Sequence, residues 1–518
     1  MSSTTTNDPS NTTERYIHLT NIYLILPTGN LSLLTSLHID ATTGLLCTPP
    51  SSVSVNLENV RVIDLKGKWV SPGMIDIQIN GAFGVDLSEF TTPEKYVEGF
   101  KKMSEGLCNG GVTSFLPTII SQKKQVYHAI LPILTKLSTS RQDTNEGRAR
   151  SLGWHLEGPF LHPCKSGCHP SQNLVDCSDG ISSMKQIYGV NNLCNTEGMI
   201  KMITLAPDVE GVLGIIPFLA ENGWKISLGH TNATFEQAFE GLKNGATMLT
   251  HMFNAMPSLH HRDSGVIGLL GLPHTDFAES KKFHKTTNTD SNLVLNAKRL
   301  RLQAQDSYPS EMPNENEDGT PSLIGDYDES DKSSCFECIR TPSLDVNSTS
   351  ASKEIGAPEQ LPATGDLPDT VQRPFFSIIA DGIHVHPQVV AMAYNSHPEG
   401  CILISDAMHM MDPSLPDGLH PWRGSKIEKK DRKITLEGTD TLAGSILPLQ
   451  EAVINLSKFA GIPLAKAVVC ATYVPAQALG GAVEKKVGLQ VGCWADLCIW
   501  DGEGLKGVWK GRLVWYDQ

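Results

Sequence analysis

Eight short apolar runs, spaced so that helices can lie between them, constrain the fold of this 518-residue chain more than any other feature. They fall at residues 74–80, 112–117, 152–157, 202–206, 225–230, 247–251, 376–381 and 402–406, with helical periodicity at 121–137 and 234–244. Strands alternating with helices predict a parallel sheet, because parallel neighbours require a crossover connection; eight such units predict a closed (β/α)8 barrel, an α/β fold. Four of the runs stop at an ionisable residue: Glu157, His230, His251 and Asp406. In such barrels the reactive groups stand at the C-terminal ends of the strands, so these four residues mark a candidate catalytic rim. Glu157 is the most telling of them. It sits between the run 151–156 and the turn Gly158-Pro159, where a buried carboxylate needs a partner, a proton or a metal.

Both ends of the chain carry a different pattern. Residues 16–70 alternate apolar and polar with turn residues at Pro27-Thr28-Gly29 and Thr43-Gly44, and 488–516 read the same way. A small β-sandwich formed by 16–70 and 483–518 is therefore expected beside a barrel spanning 71–482, with a disordered N-terminus over 1–15. One segment, 278–373, is rich in Ser, Asp, Glu, Asn, Pro and Thr and has almost no periodic apolar content. It cannot bury enough surface to offset its ordering entropy, which predicts a long disordered insertion. It follows a short helix at 266–270 and precedes the seventh strand, so it should hang from the face opposite the active site.

The net charge of −14 and the pI near 5.6 argue against nucleic-acid and anionic-membrane partners. No apolar run approaches the ~18–20 residues of a membrane helix. The polar start Met1–Thr13 fits neither a secretory signal nor a transit peptide, and 12 scattered cysteines suggest reduced thiols; the expected location is cytoplasmic. Cys335 and Cys338 form a lone C-x-x-C, read as two solvated thiols.

Glu157, His230 and His251 make a carboxylate-plus-two-imidazole set suited to one divalent metal with an open position for water. A metal that lowers the pKa of its water from 15.7 to ~7 supplies roughly 12 kcal/mol of deprotonation free energy, which amide hydrolysis can use. Zn²⁺ is favoured by this donor set, although Fe²⁺, Co²⁺ or Mn²⁺ supports the same chemistry. Asp406 is the candidate general base and acid for a metal-activated water.

The segments 111–118, 155–161, 228–234, 250–256, 379–384 and 442–445, in that order along the chain, together resemble the N-acetylglucosamine-6-phosphate deacetylases of the metal-dependent amidohydrolase superfamily. The resemblance covers nearly the whole chain except the first ~15 residues and the insertion. It implies the barrel with its small sandwich and hydrolysis of the N-acetyl group of N-acetylglucosamine 6-phosphate, in amino-sugar catabolism. By motif match Glu157, His230 and His251 correspond to the metal ligands and Asp406 to the catalytic acid/base. His169 corresponds to a residue that polarises the acetyl carbonyl, Asn254 and Ala255 to a pair at the phosphate, and His384 to a substrate-binding histidine. Arg262 corresponds to an arginine that reaches the phosphate across a dimer interface, which implies a homodimer. Dinuclear amidohydrolases usually carry His-x-His on the first strand, whereas Gln78 and Asn80 stand here, so a second metal should be weak or absent. The remaining alternatives are a different mononuclear amidohydrolase acting on another amide or cyclic imide, and a non-catalytic scaffold on an amidohydrolase-like barrel.

Deletion of 280–370 should leave turnover largely intact. Loss of activity in a variant that still unfolds cooperatively would refute the placement of this insertion away from the site.

Overall fold

The computed structural model describes residues 15–49, 60–139, 147–193, 199–273 and 371–516. Of the expected disordered N-terminus over 1–15 all but Arg15, and nearly all of the 278–373 insertion, lie outside these residues.

Eight parallel strands form the barrel: β1 (Met74–Ile79), β2 (Val112–Ile120), β3 (Gly153–Glu157), β4 (Ile200–Leu205), β5 (Lys225–Leu228), β6 (Met248–Leu249), β7 (Phe375–Ile378) and β8 (Cys401–Leu403). Each pairs in parallel with the next, from β1 through β8. Helices pack outside, as the α/β pattern requires. The first, α1 (Pro93–Asn109), starts at an N-cap where Thr92 accepts a bond from Lys95 N and a proline occupies the first turn; it buries Tyr96, Phe100, Met103 and Leu107 against the sheet. Along β2 all nine residues are buried, since a parallel strand is covered by side chains inside and helices outside. In β3 the two-residue period sends Trp154 and Leu156 one way and His155 and Glu157 the other. Trp154 packs edge-on against Trp224 with centroids 5.3 Å apart. Losing so large a buried side chain typically costs about 3–5 kcal/mol.

Beneath the mouth, the barrel interior holds a polar layer rather than a dry core. His155 Nε2 lies 2.8 Å from Thr204 Oγ1, which meets Thr250 Oγ1 at 2.8 Å, and Ser227 Oγ reaches Thr250 Oγ1 at 2.6 Å. Burial pushes the His155 pKa down to about 4, so this imidazole stays neutral and structural.

The seam between the last and first strands is closed at the mouth by backbone bonds, Gly81 N donating to Ala407 O at 3.0 Å among them. Asp406 N donates to Gln78 O at 3.0 Å and Asn80 N donates to Ala407 O at 2.8 Å. Those bonds bring the residue after β8 beside the end of β1.

Both chain ends share one eight-stranded sheet, with Tyr16–Leu24, Thr35–Asp40, Leu45–Cys47, Val60–Asp64 and Trp69–Pro72 joined by Asp496–Trp500, Leu505–Lys510 and Arg512–Tyr516. Tyr16–Thr20 pairs with Val60–Asp64, but Tyr23 and Leu24 pair with Trp69 and Val70. One strand thus serves two layers, and Leu19, Ile39, Val70, Leu497 and Trp509 fill the core of this small sandwich.

Two expectations need correction, and one element was not expected. Strands were expected to run into His230, His251 and Asp406, but β5, β6 and β8 end two residues or more before them. The three residues have φ of 48°, 27° and 45°, left-handed values that cannot continue a β-ladder. The insertion was expected to extend to 373, yet Arg373 is bound in place, its Nη2 donating to Leu270 O and to Ser396 O. Finally, a three-stranded antiparallel sheet after β8 went unnoticed in the sequence: β9 (Gly418–Trp422), β10 (Ser425–Lys430) and β11 (Lys433–Leu436). It has its own core of Met408, Met410, Ile427 and Ile434.

Asp76, on β1, is fully buried; Oδ1 accepts from Gln78 N and Ser405 N, both at 3.3 Å, while Oδ2 has no partner among the described residues. Burial pushes its pKa up to about 7. A raised carboxyl pKa means stability that is present at low pH and lost as pH rises through the folded value. Asp76→Asn should therefore gain Tm relative to the parent protein at pH 8 compared with pH 5; an equal difference at the two pH values would show that Asp76 does not titrate in this range.

Candidate functional site

Glu157, at the end of β3, is only 2% exposed, and its Oε1 is the point on which the site converges. His230 Nε2 and His251 Nε2 each lie 3.1 Å from it, and the two nitrogens are 2.9 Å apart. Ligand atoms ~2.0–2.1 Å from one tetrahedral or octahedral ion stand about 2.9–3.4 Å from each other, so these separations suit a shared metal. Tautomers agree with this. His230 Nδ1 is 2.7 Å from Lys165 O, a carbonyl that accepts only, so the proton belongs on Nδ1 and the Nε2 lone pair faces Glu157.

A ligand set of Glu157, His169 and His230 is also compact, with donor atoms all within 4.8 Å. The hydrogen bonds distinguish the two sets. Ser121 N donates to His169 Nδ1 at 3.2 Å, which leaves the proton on Nε2, and this N–H stands 4.0 Å from Glu157 Oε2. His169 therefore offers a donor to the cavity rather than a lone pair. His251 fits the metal better.

The electrostatics follow from burial and pairing. Burial alone would raise Glu157, but the imidazoles of His230 and His251 against its Oε1 hold it well below the usual carboxylate range. Burial, then the neighbouring His230 imidazole, pushes His169 down to about 3, so it is a neutral donor. Asp406, whose Oδ1 accepts from Asn80 Nδ2 at 2.7 Å and Gln78 Nε2 at 3.3 Å, is driven up to about 8 by burial and by Glu157. Gln78 Nε2 also donates to Glu157 Oε1 at 2.9 Å. An amide N–H thus bridges the two carboxylates.

His230, His251 and Asp406 share left-handed backbone, as do Phe253 (φ 75°) and Ala255 (φ 51°). Non-glycine residues in this region cost about 1–3 kcal/mol each and persist where surrounding structure holds them, often at functional sites. The polar layer below supplies such support: His251 N donates to Ser377 Oγ at 2.8 Å.

A cavity of about 230 Å³ opens over this cluster, and Glu157, His169, His230, His251, Asn254, Ala255, His384 and Asp406 all line it. His384 is oriented by Asp381, whose Oδ2 is 2.6 Å from Nδ1. Arg262 does not join them: it is exposed, and its backbone N donates to His260 Nδ1 at 3.3 Å. Three cavity residues escaped the sequence reading, namely Asp86 after β1 and Trp422 and Arg423 at the β9–β10 turn. The alternation of Ser425–Lys430 beside Gly424 was the available clue.

No family model matches the chain. A curated N-acetylglucosamine-6-phosphate deacetylase of Caenorhabditis elegans is 31% identical over 442 residues, covering 85% of this chain and 80% of that protein. The chain belongs to the N-acetylglucosamine-6-phosphate deacetylase family. The protein of that name from Homo sapiens is 28% identical over 457 residues, 87% of this chain and 85% of its own length. Solved structures of the Pasteurella multocida and Thermotoga maritima deacetylases superpose with TM-scores of 0.66 and 0.64 at 21% and 20% identity, covering 97% and 96% of this chain and 100% of each of theirs. At that identity they establish the shared fold. Among the described residues no helix is long and apolar enough to cross a membrane.

The two candidate ligand sets separate by mutation. His251→Ala should reduce metal retention by more than the roughly 10–100-fold that loss of an outer-shell partner causes, while His169→Ala keeps the metal. The reverse pattern in metal analysis of the purified variants would assign the ligand role to His169.

Proposed function

We propose that this chain hydrolyses the N-acetyl group of N-acetylglucosamine 6-phosphate to glucosamine 6-phosphate and acetate. The convergence of two imidazoles on the buried Glu157, with Asp406 beside it, carries the reading in a chain of this family. Glu157, His230 and His251 would hold one divalent ion, with Zn²⁺ favoured by the donor set. When bound, such an ion acts as a Lewis acid that acidifies water and polarises a carbonyl. The Gln78 amide between Glu157 and Asp406 supports a single ion, because a neutral amide replaces a ligand there and its N–H faces the carboxylates.

The remaining steps belong to the protein's own groups. Asp406, held by Asn80 and Gln78, takes a proton from the attacking water and later passes it to the departing amine. Water thus supplies a hydroxyl to the acyl carbon and a proton to the nitrogen, and the C–N bond breaks. The His169 N–H stabilises charge developing on the acyl oxygen; loss of one such donor typically costs 10²–10³ in kcat. Asn254, Ala255 and His384 position the sugar phosphate, and the exposed Arg262 is assigned to the phosphate of a neighbouring subunit in a homodimer. A cytoplasmic location fits a sugar-phosphate substrate.

Amine release from N-acetylglucosamine 6-phosphate, measured before and after chelation and after metal add-back, tests this directly. Chelator-sensitive turnover is expected, with Asp406→Asn keeping its metal but losing activity. Absence of amine release from metal-restored enzyme would reject the proposal.

A further inference from the structure

Arg423 occupies an unfavourable position for an arginine. Trp422 pairs with Ser425, so Arg423 and Gly424 form a two-residue hairpin turn, and their φ values of 50° and 81° are both positive. Turns of this kind strongly prefer Asn-Gly, Asp-Gly or Gly-Gly. A long side chain kept there despite the backbone strain points to a function for that side chain.

The guanidinium is fixed in place. Its Nε donates to Asp86 Oδ2 at 3.1 Å, and Nη2 donates to Asp86 Oδ1 and Oδ2 at 2.7 and 2.9 Å. Trp422 Nε1 donates to the same carboxylate at 3.3 Å. One edge of the planar fork is therefore occupied. The other, Nη1, is buried and has no hydrogen-bond partner among the described residues. A buried cationic N–H without an acceptor is costly, and the Nη1/Nη2 edge matches two oxygens of a phosphate. Arg423, Asp86 and Trp422 line the cavity above Glu157. Among the described residues lining it, Arg423 is the one whose side chain is cationic at every physiological pH.

We infer that Arg423 is a specificity residue that binds the phosphate of the substrate from within the same chain, with Asp86 orienting it. This rests on the deacetylase reading and adds to it a recognition group on the β9–β10 hairpin. Asp86 neutralises most of the long-range charge of Arg423, so discrimination arises from direct hydrogen bonding by the free edge. A dianion reaches two aligned donors, whereas an unphosphorylated sugar leaves them unpaired.

The test compares KM for N-acetylglucosamine 6-phosphate and for N-acetylglucosamine, together with calorimetric binding of glucosamine 6-phosphate and glucosamine. Arg423→Asn retains a favoured turn sequence, and Asp86→Asn/Arg423→Asn also removes the carboxylate that the single change leaves unpaired. In both variants the preference for the phosphorylated sugar should fall by at least about tenfold, the loss of one charged hydrogen bond. Arg423→Lys, which keeps the charge but not the fork, should recover part of it. Equal weakening of both sugars would reduce Arg423 to a fastener of the hairpin and overturn the inference. Recovery of the preference in the double variant would do so too, since net charge alone would then explain the effect. If the parent enzyme binds glucosamine 6-phosphate through Arg423 but releases no amine from the acetylated sugar, the deacetylase reading fails and the phosphate contact stands.

Discussion

The buried charge of Glu157 is the constraint around which the mouth of this barrel is organised. A carboxylate there would be expelled or protonated in an apolar barrel. Two imidazoles, one amide and the N–H of His169 surround it instead, the first three delivered from β5, β6 and β1 and His169 from the loop after β3. That arrangement needs eight strands to close, because Gln78 comes from β1 and Asp406 follows β8. The backbone bonds across the seam thus hold Asp406 beside Gln78 as well as closing the barrel.

Support for the cluster is built in layers. The hydroxyl chain of Thr204, Thr250 and Ser227 with neutral His155 forms a polar floor, and Ser377 fixes the backbone of His251. Satisfied networks of this kind rigidify a site, which limits the freedom of the left-handed residues above. Outward-facing residues such as Trp154 meanwhile bind the strands to the helices by ordinary apolar burial. The same two-residue period therefore separates stability from function along a single strand.

The opposite wall of the cavity comes from a part of the chain outside the barrel repeat. The β9–β11 sheet has its own small core and presents Trp422 and Arg423 to Asp86 across the mouth. Nothing in the barrel pattern requires this element. In the proposed function it adds a recognition group to a barrel that already carries the candidate catalytic residues.

The eight-strand alternation and the four ionisable residues at or just beyond the strand ends were legible in the sequence, since side-chain period and apolar run length are local properties. Gln78 and Asn80 were equally legible as neutral residues where a dinuclear site would have histidines. The sequence could not say that Gln78 donates to Glu157 and Asp406 at once, because those partners lie 79 and 328 residues away. Nor could it show that His169 offers a proton while His230 offers a lone pair: a backbone N–H of Ser121 and the carbonyl of Lys165 decide that. Nothing in the sequence singled out Arg423. Its role emerges only when Asp86, from the segment after β1, holds one edge of its guanidinium and leaves Nη1 without a partner among the described residues. Local sequence determined the residue types and their order along the rim; hydrogen bonding across long sequence separations decided the protonation and orientation of each group.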